Sequence, residues 1–174
     1  MTFALKSCRT LAATLFMTAA ATFAYADPSA SSFVDNASAK GIAEIEAGKL
    51  ALEKGTAQDV KTFAQQMIDD HTTANEKLAG IATAKKLEVS DRATLMDMAK
   101  SMILQVRDGE SFDKAYANNQ VVAHEQTIEL FREYSEKGDD AEIKAFAKET
   151  LPKLEAHLKH AKELAKAHGG EAAN

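Results

Sequence analysis

Between residues 60 and 81, Val60, Ala64, Met67, His71, Ala74, Leu78 and Ile81 recur at gaps that alternate between four and three. This is the period of an α-helix with one buried face. A strand, whose side chains change face at every residue, cannot produce it. The pattern predicts a helix from about Ala57 to Lys85, with Lys85-Lys86 suiting the negative pole of the helix dipole.

The same period marks the rest of the chain. From Phe33 to about Lys54 a stripe holds Phe33, Ala37, Gly41, Glu44, Gly48 and Ala51. Glycines at 41 and 48 lower helix propensity but let a neighbouring helix come close. Gly55 reads as a left-handed cap and Thr56 as the N-cap of the helix that follows. A shorter amphipathic helix is expected after a Ser90-Asp91 cap, with Leu95, Met98, Ala99, Met102, Ile103 and Val106 inward, and Asp108-Gly109 ends it. A long helix from near Ser111 to Glu136 carries Phe112, Tyr116, Gln120, Ala123, His124, Thr127, Phe131 and Tyr134 on one side. After Asp139-Asp140 the last helix turns Ile143, Phe146, Ala147, Thr150, Leu154, His157, Ala161 and Leu164 inward, and Pro152 predicts a kink or restart. Ala, Lys, Glu and Leu dominate, Trp is absent, and Pro28 and Pro152 are the two prolines. Such a composition favours helix.

The linkers set the topology. Tight joints at 55–56 and 138–140 predict two antiparallel hairpins, and the roughly 25 residues between them can return along much of a bundle at ~1.5 Å per helical residue. The predicted fold is therefore all-α, a ferritin-like four-helix bundle of two hairpins joined by a long crossover that contains a short helix. An up-and-down bundle with an inserted helix is the alternative.

The N-terminal residues read differently. Lys6 and Arg9 precede an apolar run from Leu11 to Phe23, and Ala24-Tyr25-Ala26 offers an A-x-A cleavage site before Asp27. These are the parts of a secretory signal, and the run is shorter than the ~20 residues of a spanning helix. We expect residues 1–26 to be a cleaved signal and 27–32 a flexible lead. The bundle domain then spans 33–168, with a disordered tail at 169–174. Cleavage after Ala26 implies a periplasmic protein. It also removes Cys8, the single cysteine, and takes 21 basic residues to 19 against 26 acidic ones, so the formal charge moves from −5 to −7. That balance argues against nucleic acid as a partner, and no later stretch is apolar enough to insert the mature chain in a membrane. An envelope protein remains a candidate partner; oligomeric state is not legible.

Three segments carry a resemblance: FAQQMIDDHTTANEKL (63–78), SFDKAYANNQVVAHEQTIELF (111–131) and IKAFAKETLPKLEAHLKHAKEL (143–164). Their F-A-x-x-M-x-x-D-H, F-D-x-x-Y…Q-x-x-x-H and L-P-x-L-x-x-H blocks, in that order, are similar to those of a family of secreted bacterial ferritin-like proteins of unknown function, often labelled "predicted outer membrane protein". The resemblance implies an exported four-helix bundle and no established reaction. The sequence itself offers nothing for the outer-membrane label.

His71, His124 and His157 fall on apolar stripes of three different helices, and Glu44 holds a comparable place on the first. A buried ionisable group is costly unless paired or metal-bound. One group from each helix could converge on a single ion, and imidazole with carboxylate suits Zn, Cu, Ni or Fe. Gln120 or Tyr116 could join as ligand or outer partner, and Asp69-Asp70 could orient His71. Di-iron bundles use Glu-x-x-His on two helices. Here Ile68, Val121 and Leu154 stand three residues before the histidines, which argues against ferroxidase chemistry and against an enzyme. Met96, Met98 and Met102 read as core filler. No organic-cofactor motif is present. The two readings are a histidine-rich single-metal site for metal handling or stress protection, and a metal-free helical interaction module of the envelope.

Overall fold

In the computed structural model, which describes residues 28–171, the chain forms α1 (Ala30–Lys54), α2 (Gln58–Ala84), α3 (Leu95–Gln105), α4 (Gly109–Lys137) and α5 (Ala141–Ala167). No strand occurs among the described residues. The signal segment 1–26 with its cleavage site, Asp27 and residues 172–174 lie outside them. Helix α1 starts within the expected lead, where the Ser29 side chain accepts from the Ser32 amide. No described helix is long and apolar enough to cross a membrane.

The side-chain pairings give each helix its direction. Along α1 and α2, Gly41 lies against Asn75 and Gly48 against Ala64 and Ile68, so the pair is antiparallel. A methyl group at Gly41 would run into the Asn75 amide, which donates to the Ser38 carbonyl at 3.1 Å. Glycine is needed there for close approach, as the sequence suggested. Arg132–Glu155 and Glu125–Lys162 make α4 and α5 antiparallel in the same way. Lys54 meets Asp108 at one end of α1 while the Ala30 amide meets Asp139 at the other, so α1 and α4 are antiparallel too. Asp59–His168 and Lys77–Glu149 do this for α2 and α5. It follows that α2 and α4 run the same way, and residues 85–108 carry the chain back between them.

The apolar core is in two halves. One gathers Val60, Phe63, Met67, Phe112, Tyr116 and Leu164; the other gathers Phe33, Leu78, Phe131, Tyr134, Ile143 and Phe146. In the second half Phe33 stacks on Tyr134 at 4.3 Å and meets Phe131 edge-on at 5.0 Å. Between the halves lie the buried polar residues Glu44, His71, Gln120, His124 and His157.

Several local expectations are corrected. The α3 face expected inward points outward: Leu95 is 85 % and Val106 82 % exposed, Met98, Met102 and Ile103 are exposed as well, and Leu104 is the buried residue of that helix. Periodicity identifies an apolar face but not what lies opposite it. Four long helices already close the core, and α3 rests on α1 and α4 through Leu104 and polar anchors such as Lys54 Nζ on the Gln105 carbonyl at 2.6 Å. Its cap is Thr94, which accepts from the Asp97 amide, rather than Ser90-Asp91. Gly55 is extended (φ −64°), not left-handed. Thr56 does not cap α2 with its own side chain. Instead Asp113, reaching across from α4, accepts from the Thr56 amide at 3.1 Å, the Ala57 amide at 3.0 Å and the Thr56 hydroxyl at 2.6 Å. Finally, α5 passes through Pro152 without a restart. Pro152 and Lys148, whose carbonyl the proline leaves without an amide, are both exposed, so water can satisfy that carbonyl.

Candidate metal centre

His71 comes from α2, His124 from α4 and His157 from α5, and all three are buried. Each offers a ring nitrogen, and these nitrogens lie within 4.8 Å of one another. The ring centroids are 5.6 Å (His71–His124), 5.7 Å (His71–His157) and 5.4 Å (His124–His157) apart. Counting residues from the α4–α5 joint places His157 level with Gln120. Side chains lean toward their helix N-terminus, however, which carries the His157 ring back toward His124.

Hydrogen bonds fix two of the three rings. His124 Nδ1 lies 2.9 Å from the Gln120 carbonyl and His157 Nε2 lies 2.9 Å from Asp70 Oδ2. A carbonyl and a carboxylate only accept, so each of these nitrogens carries the proton. The remaining nitrogens, His124 Nε2 and His157 Nδ1, then present lone pairs. Both are buried without a protein partner, and so is His71 Nε2. Buried imidazole nitrogens without a protein partner are the donor type that suits a first-row transition ion, and these three histidines could hold one.

Glu44 stands outside this group. Its carboxylate accepts from Gln120 Nε2 at 2.7 Å, so Gln120 links Glu44 to His124, while Gln120 Oε1 is buried without a protein partner. Burial pushes the Glu44 carboxyl above its usual range, against the pull of His124 and the Gln120 bond. Tyr116 lies near Glu44 with its hydroxyl buried and unpartnered, and burial pushes that phenol well above its usual range. Asp70, expected to orient His71, orients His157 instead. That partnership spans 87 positions, and no local spacing announces it.

Burial holds His71 well below the ordinary imidazole range, with His124 and His157 adding to the effect. Burial also lowers His157, although the Asp70 bond opposes it. The groups acting on His71 are His124, His157 and Lys153, which lower it, and Asp70, which raises it. Imidazoles kept neutral in the fold accept protons readily once unfolded, so their contribution is present above the unfolded value of ~6.5 and is lost as pH falls below it. Each can remove up to ~1.4 kcal/mol per pH unit. Glu44, with its raised folded value, works the other way as pH falls toward 4.5. Thermal melts of metal-free protein should therefore lose stability between pH 6.5 and 5, ahead of most carboxylate titration. A flat melting temperature over that range would show that His71 and His157 are not held neutral.

None of the curated proteins matches the chain. Among solved structures, the crystal structure of a DUF305 protein from Streptomyces coelicolor, inferred to be secreted, has a similar fold. The TM-score is 0.70 at 15 % identity, over 82 % of this chain and 93 % of that one. At that identity the likeness concerns the fold alone. The family model described as "Domain of unknown function (DUF4142)" matches residues 15–164, and the chain belongs to that family.

Proposed function

We propose that this protein is an exported, periplasmic, ferritin-like bundle that holds a single transition-metal ion through His71, His124 and His157, for metal handling or stress protection rather than catalysis. The observation that carries the reading is the set of three buried, unpartnered imidazole nitrogens converging from three helices. Two hairpins joined by a returning crossover support the ferritin-like reading. The A-x-A site of residues 24–26 supports export, as does the inferred secretion of the Streptomyces coelicolor protein. Glu44, outside the three-histidine group, acts on the ion through its charge and through Gln120. Zn, Cu, Ni and Fe all suit imidazole donors.

A second reading, a metal-free interaction module of the envelope, is favoured by the exposed apolar face of α3. Elemental analysis separates the two. Untagged protein from an exporting host should carry close to one equivalent of a transition metal. Stripped protein should melt at a higher temperature once one of Zn, Cu, Ni or Fe is restored at pH 7.5. No metal on the isolated protein, with melts that none of the four ions moves, would leave the interaction module standing.

A further inference from the structure

Resting on the metal reading of the histidine centre, we propose that Asp70 is its positioning and entry residue, and that Lys153 is the cation an incoming metal ion displaces.

The argument is one of access. His124 and His157 are sealed in the bundle, and the second nitrogen of His124 is tied to a backbone carbonyl of its own helix. Glu44, the other acid near the centre, is itself buried and already accepts from Gln120. Asp70 differs from both. Its side chain is 22 % exposed, and one of its oxygens touches a ring of the centre. One oxygen, Oδ1, holds Lys153 Nζ at 2.7 Å; the other, Oδ2, holds His157 Nε2 at 2.9 Å. Lys153 itself is exposed. A hydrated divalent cation approaching the α2–α5 seam therefore meets a carboxylate whose present counter-ion is an exposed ammonium group. Behind Asp70 stands the His157 ring, which turns Nε2–H to the carboxylate and keeps its lone pair on the buried, unpartnered Nδ1.

The same carboxylate has a second effect. By accepting from Nε2–H it leaves the His157 lone pair on Nδ1, the nitrogen that is buried without a protein partner. A carboxylate behind a ligand histidine both orients the ring and strengthens it as a donor. Asp70 thus governs how fast an ion arrives and how well His157 holds it, and Lys153 opposes the first.

Stopped-flow uptake of Co(II) by metal-free protein, followed through its visible absorption, tests this. In Asp70→Asn the association rate should fall about tenfold, with affinity weakened about 10- to 100-fold. Lys153→Met, a change at an exposed position, should raise the association rate severalfold. Association with the wild-type protein should slow as salt rises, and Asp70→Asn should lose most of that dependence, a change that a merely structural role would not cause. Opposite signs at the two ends of one ion pair are the signature expected. Wild-type rates and salt dependence in Asp70→Asn would overturn the proposal even if Co(II) binds. So would an unchanged or slower rate in Lys153→Met, which decides the matter alone should Asp70→Asn fail to fold. Wild-type protein that takes up no Co(II), and whose melts none of Zn, Cu, Ni and Fe moves, would overturn the metal reading and this proposal with it.

Discussion

On the proposed metal reading, Zn(II) is expected to raise the melting temperature of the metal-free protein, and replacing His124 with alanine to remove most of that gain. An ion that binds the folded chain at a hundred times its dissociation constant stabilises it by ~2.7 kcal/mol. In a domain of this size that corresponds to a rise of roughly 5–10 °C in melting temperature. His124 is the ring whose Nδ1–H is held by the Gln120 carbonyl, so its Nε2 is fixed in place as a donor. Without it two imidazoles remain, and the gain should shrink to within a degree or two. The substitution also leaves a hole in the layer, so the metal-free variant will melt lower than the wild type. The informative quantity is therefore the difference with and without Zn(II) in each protein. His160→Ala is the control, because His160 lies edge-on to Phe63 rather than in the cluster, and its Zn(II) gain should stay at the wild-type level. A His124→Ala protein that keeps the full gain would place the ion elsewhere.

A comparable loss, independent of metal, is expected from Asp113→Ala. Asp113 is buried on α4, yet its carboxylate satisfies two amides and a hydroxyl at the start of α2. Hydrogen bonds to a charged acceptor contribute ~1.5–3 kcal/mol each in net terms, and three on one group do not add in full. Thr56 is exposed, so water can recover part of the loss. We therefore expect about 2–4 kcal/mol from urea unfolding, with an unchanged slope. Asp113→Asn, which keeps an acceptor oxygen, should lose less. A cost below ~1 kcal/mol for the alanine variant would mean that water replaces the carboxylate almost entirely.

The contrast between His71 and Asp113 shows what was legible in the chain. His71 announces its inward position because six neighbours on its own helix share its period, and the same holds for His124 and His157. The hairpins were legible for an equally local reason, since a three-residue joint between long helices leaves little choice but to fold back. Asp113 gives no such sign. It accepts from Thr56, 57 positions away, and a single carboxylate among helix-forming residues looks the same whether it faces water or caps a distant helix. Asp70 misled for a related reason: its neighbour in sequence is His71, but its partner in space is His157. The α3 face was misjudged because a period records only that a helix has two unlike sides. Gly55 was misjudged because a glycine after a helix does not say which of its several backbone conformations it takes.

The division of the histidine layer between the hairpins has a consequence for how the molecule matures. A chain that emerges N-terminus first delivers His71 with the α1–α2 hairpin, and His157 only after the rest of the crossover, α4 and half of α5 have followed. The first hairpin supplies one imidazole and the second supplies two, so neither alone offers the three donors. On the proposed metal reading, residence of an ion would then be a late event that certifies the docking of finished halves, and partly translated or misdocked chains would let the ion go.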